Sequence, residues 1–168
     1  MMHLVIRELH ILCGALWFGI AVFGALFLGP AVESLGPDGG KVMQALQKRG
    51  FIVFMPVIAV LTLVSGFYLF YVATGGFNPD LARTHAGRSY SIGGGIGLIA
   101  FLIGALIISR SMAKAAAIMR ALPTAPESER GRMVAEASRL RRRGAIGNQI
   151  VAVLITITVI LMTIAIYT

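Results

Sequence analysis

Apolar residues along this chain come in four long blocks, approximately 6–31, 51–74, 89–109 and 145–167, separated by stretches where glycine, proline and charge are concentrated. At about 1.5 Å per residue, each block is long enough to cross a hydrocarbon core about 30 Å thick. The pattern predicts four transmembrane helices forming an all-α four-helix bundle, one integral membrane domain over 1–168. In the first block, LHILCGALWFGIAVFGALFLGP from Leu9 to Pro30, helical spacing puts His10, Cys13, Gly14, Trp17, Ala21 and Gly24 on one stripe. That stripe is expected to face protein, because lipid offers an imidazole nothing to bond with.

The other blocks are marked by their breakers and small residues. Pro56 removes a backbone donor inside the second block and is expected to kink it. The third opens SIGGGIGLIAFLIGA, where Gly93, Gly97, Ala100 and Gly104 share a face and include a G-x-x-x-G pair that permits close helix approach. This places the third helix at the crowded centre of the bundle. The first connection carries Pro37 and Gly39-Gly40 and leads into a basic amphipathic run from Lys41 to Arg49; the second, GGFNPDLARTHAGR, holds His85. Residues 110–144 are rich in alanine and charge and broken at Pro123 and Pro126, which predicts two helical extensions joined by a tight turn. Helices three and four are then extended beyond the membrane as a helical hairpin.

Composition agrees with the pattern and excludes a soluble domain. Of the 168 residues 57% are hydrophobic and only 13% charged, against roughly 25% charged in ordinary soluble domains, and the mean hydropathy is +0.84. The first block is flanked by Arg7 and Glu8, exceeds a signal-peptide core in length and ends in Gly29-Pro30 without a small-x-small cleavage pattern, so it is expected to be retained as a span. A net charge of +8 does not imply a nucleic-acid partner here, because the basic residues cluster beside the spans, where anionic lipid explains them. The first and third connections hold twelve Lys and Arg residues, whereas the amino end and second connection hold three, Arg7, Arg83 and Arg88. That asymmetry predicts a cell inner (cytoplasmic) membrane protein with a cytoplasmic hairpin and both termini outside.

With that orientation, all the histidines, His3, His10 and His85, fall on the external side. Tyr68, Tyr71, Tyr90, Met162 and Tyr167 are expected at a depth similar to His10, with Cys13 one turn below it. Imidazole, thioether and thiol are ligands that suit copper or haem iron. His10 is the anchor, with Met162 and Tyr68 as further cofactor ligands and Cys13 and His85 as further metal ligands. Tyr68, Tyr71, Met162 and Thr163 are the candidate partners of its ring. Each has an ordinary alternative: an aromatic belt for the tyrosines, packing for Met162, a small buried hydrophobe for Cys13, a frayed end for His3 and a solvated loop for His85. The single cysteine allows no intrachain disulfide. No C-x-x-C, H-E-x-x-H, phosphate loop or serine-histidine-acid set occurs.

The first span's L-H-x-L-x-x-x-L-W-F-G, continuing to Gly29-Pro30-Ala31, resembles the opening helix of the copper resistance D-like (CopD-like) superfamily of small membrane proteins. Phe51, Pro56 and Ser65-Gly66 in the second span and the ending M-T-I-A-I-Y from Met162 to Tyr167 are also similar to that group. The same opening is similar to that of the membrane protoporphyrinogen oxidases, which use a first-helix histidine and a membrane-associated lysine; here the second and third spans carry no lysine, and Lys48 precedes the second. The resemblance implies copper handling or haem-linked oxidation. Three functions therefore stand as expectations: a His10-centred haem b or copper site for metal handling or electron transfer, a porphyrin-oxidising enzyme, and a cofactor-free structural subunit. The partners expected are the lipid bilayer and a homo-oligomer or larger membrane complex.

Overall fold

In the computed structural model, which describes residues 1–165 and Tyr167, the chain forms α1 (Met2–Ser34), α2 (Gly39–Lys48), α3 (Phe51–Ala73), α4 (Pro79–Ala82), α5 (His85–Thr124) and α6 (Glu127–Ile164), with no strand among the described residues. Four of these, α1, α3, α5 and α6, are long and apolar enough to cross a membrane. The protein is a multi-pass, all-α membrane bundle. The ending M-T-I-A-I-Y includes Ile166, which lies outside the described residues.

The four long helices form a ring: α1 packs on α3, α3 on α5, α5 on α6 and α6 back on α1, with the largest contacts at α1–α3 and α5–α6. All four supply the core, through Trp17 and Ala21, Ile58 and Ala59, Ala100, and Val151 and Ile155. On α1 the buried residues Cys13, Trp17, Ala21 and Ala25 continue the stripe expected from spacing, while Leu12, Leu16, Phe23, Leu26 and Phe27 are exposed. Such exposure is ordinary where the surrounding solvent is hydrocarbon. A ring has no central member, and the expectation for the third helix is corrected accordingly: α5 packs on α3 and α6 as one of four members.

The α5–α6 seam shows how glycine is used. In its upper half the small residues are on α5. A Cβ at Gly93 would come within 3.2 Å of Met162 Cε, and one at Gly97 within 3.7 Å of Thr158 Cγ2. The Thr158 hydroxyl lies 3.2 Å from the Gly93 carbonyl and 3.0 Å from that of Leu154, its two acceptors. Further down, the small residues are on α6, where a Cβ at Gly147 would meet Ile108 Cγ1 at 2.9 Å and one at Gly144 would meet Met112 Sδ at 3.0 Å. Between the halves, α5 passes through a π-helical turn at Ile103–Ile108. Gly104, in this turn, has no neighbouring atom within 4 Å of a Cβ position and is not part of the seam.

A second π turn, Gly24–Leu28, lies in α1 just before Pro30, and there the Gly29 N–H reaches the Gly24 carbonyl. Pro30 has no N–H for the Leu26 carbonyl and its ring crowds that group, so the wider turn relieves both problems. Pro56 lies in the second turn of α3, which runs through it unbroken. Below the span, α5 and α6 extend as the expected hairpin, Ala115 and Ala137 being buried where they meet. Pro126 caps α6, with Glu127 and Glu129 in the first turn, where the helix dipole favours negative charge.

Candidate functional site

His10 is held by α3. Its Nδ1 lies 2.9 Å from the Thr62 carbonyl oxygen and 3.2 Å from Ser65 Oγ. A carbonyl can only accept, so Nδ1 carries the hydrogen and donates it. The Ser65 hydroxyl in turn has the Leu61 carbonyl at 2.5 Å and the Thr62 carbonyl at 3.1 Å as acceptors. In the neutral ring this fixes the tautomer and leaves Nε2 with its lone pair.

No hydrogen bond from a described residue reaches Nε2. Among the described residues no fully buried side-chain nitrogen or oxygen lacks a partner, so Nε2 is not sealed in the bundle. The ring lies against Gly66, where a Cβ would come within 2.7 Å of His10 Cε1 and 3.1 Å of Nδ1. Thr62, Ser65 and Gly66 fall at i, i+3 and i+4, one face of α3. They supply a carbonyl, a hydroxyl and the absence of a side chain, and together make a seat for one imidazole.

The residues expected around His10 go elsewhere. Tyr68 is hydrogen-bonded to His3 Nδ1 at 3.2 Å, the rings stacked 5.8 Å apart two turns of α1 above His10, so His3 has a partner rather than a frayed end. Tyr71 meets Phe77 edge-on at 5.2 Å. Thr163 returns its hydroxyl to the Val159 carbonyl, and Met162 packs on Gly93. The expected partners lie on the second and fourth spanning helices; the partner found is on the second, but it is Thr62 and Ser65. The T-x-x-S-G run was the only signal in the sequence, and its most important member is a backbone carbonyl.

Cys13 is a free thiol, buried on the protein-facing stripe. His85 begins α5 and is exposed. Among the described residues no group of three or more His, Cys, Asp and Glu side chains could hold a metal ion, so His10, Cys13 and His85 do not form one site. What is assembled is a single oriented imidazole. Comparison with protein-family models, curated proteins and solved structures finds no match to this chain.

Proposed function

We propose that this membrane protein uses His10 Nε2 to ligate a redox-active metal centre in the outer half of the bundle, serving electron transfer or metal handling. One observation carries the reading: the Nδ1–H is committed to the Thr62 carbonyl, the arrangement that orients metal-binding histidines and fixes their tautomer. His10, through Nε2, would be the residue of this chain that holds a haem b iron, which would supply one-electron chemistry. A copper site with several His, Cys, Asp or Glu ligands from one chain has less support, since no such group of three or more occurs among the described residues. The chain's own contribution is to orient the imidazole through Thr62 and Ser65 and to admit it against Gly66.

Membership of the CopD-like superfamily belongs to this proposal and rests on the His10-to-Trp17 motif, whose tryptophan is buried in the core. The porphyrin-oxidising alternative has less support. Lys48 closes α2 before α3 begins, and Ser65 lies about 20 Å further along α3 at 1.5 Å per residue. The orientation, both termini outside in the inner membrane, rests on the basic asymmetry of the connections.

The test is the visible spectrum of the purified protein after growth with a haem precursor or with copper. A Soret band that disappears in His10→Ala, with helicity retained, supports the haem reading. If neither chromophore nor metal accompanies the wild-type protein, His10 is an interhelical pin and the cofactor reading fails.

A further inference from the structure

Away from His10, where α5 and α6 leave the apolar span, a cleft of about 230 Å³ opens between them. Arg110 and Lys114, one turn apart on α5, and Arg143 on α6 line it; Leu106 and Ile107 form its membrane-side wall. Three cations line it, and among the described residues none of them is in an ion pair. The ion pairs among the described residues are Lys41–Asp38, Arg130–Glu127 and Arg132–Glu129, none of which involves the cleft.

Ser111 also lines the cleft and is only 4% exposed. The other buried polar side chains among the described residues, Ser65 and Thr74, donate their hydroxyls to backbone carbonyls. That of Ser111 makes no hydrogen bond among the described residues, where no fully buried side-chain oxygen lacks a partner, so this oxygen opens on the cleft. A hydroxyl donor, two guanidinium groups and an ammonium group around one space match a phosphate oxyanion, with bidentate and point-charge contacts both on offer.

The geometry points to a binding site for the phosphate of an anionic lipid headgroup. A free phosphate shares the oxyanion chemistry, but the wall formed by Leu106 and Ile107 suits the glycerol and upper acyl chain that accompany a lipid phosphate. Basic clefts between spanning helices at this depth are where such headgroups bind. The site is independent of the His10 proposal and lies nearer the opposite end of α5.

The test uses the full chain in neutral phosphatidylcholine vesicles doped with photoactivatable phosphatidylglycerol. Crosslinks should concentrate on residues 106–114, Leu140 and Arg143; an even spread along the hairpin overturns the proposal. The triple variant R110Q/K114Q/R143Q should retain at least about tenfold less phosphatidylglycerol on detergent extraction, whereas R139Q/R141Q/R142Q, which removes equal charge outside the cleft, should lose less than about threefold. Equal losses would mean diffuse surface attraction and sink the site. A third arm adds inorganic phosphate to the detergent-solubilised wild type. Failure to displace phosphatidylglycerol supports the lipid assignment, and displacement at low millimolar concentration would make the ligand a free anion and overturn it.

Discussion

A methyl group at position 66 would lie 2.7 Å from His10 Cε1 and 3.1 Å from Nδ1, too close for a ring tied to a backbone carbonyl to yield without giving up that bond. Gly66→Ala is therefore expected to destabilise the bundle by about 1–3 kcal/mol through overpacking, although alanine is intrinsically better than glycine in a helix by up to about 1 kcal/mol. In a His10→Ala background the clash is gone and only the helix preference remains, so the same change should be neutral or stabilising. Unfolding in detergent through the double-mutant cycle measures this, and an equal cost in both backgrounds would mean that the ring does not lie on Gly66. His10→Ala alone should cost only about 1 kcal/mol. Its acceptors keep other partners: Ser65 still donates to Leu61, and Thr62 retains its bond within α3. A melting midpoint lowered far beyond that would assign His10 a larger structural role. At this scale the sequence was half legible. An intramembrane histidine on a stripe with Trp17 had to face protein, but its acceptor is a main-chain oxygen, a group every residue carries and no side-chain pattern reveals.

Helices and their extensions were readable because apolar runs of this length have no other stable form in lipid, where each backbone group must be bonded within its own segment. What spacing could not show was a change of spacing. The π turns at Gly24–Leu28 and Ile103–Ile108 each insert a residue into the turn and rotate everything beyond it. Extrapolating the Gly93–Gly97–Ala100 face by another turn arrives at Gly104, which lies within the second of these turns and has no neighbour within 4 Å of a Cβ position. Two leucine substitutions separate the faces. Gly97→Leu must displace Thr158, whose methyl already lies 3.7 Å from the Cβ position, whereas the Cβ of Gly104→Leu would meet nothing within 4 Å. The first should lower stability in detergent by about 1–3 kcal/mol and the second by less than about 0.5 kcal/mol. Thermal melts followed by circular dichroism check the order, and comparable losses would place Gly104 back in the interface. Gly97→Ala should be tolerated, because its Cβ makes an ordinary contact.

For the whole molecule, four apolar blocks implied a four-helix bundle, but not the order of the ring. Each stripe says which face seeks protein and not which helix will cover it. Orientation is the remaining global property, and charge is the argument for it. Twelve of the fifteen Lys and Arg residues lie in the first and third connections, and moving that many cations across an energised membrane is opposed by the potential and by anionic lipid on the inner face. The hairpin turn should then be cytoplasmic and His85, at the start of α5, external. Cys13 is buried, so an impermeant maleimide has little background, and cysteines introduced at the exposed positions Ser128 and His85 report the two sides. Ser128→Cys should label in intact cells only after permeabilisation, and His85→Cys without it. The reverse pattern would invert the bundle and move the His10 seat to the inner half. The cationic cleft would then face outward, and the asymmetry of charge would need a cause other than topology.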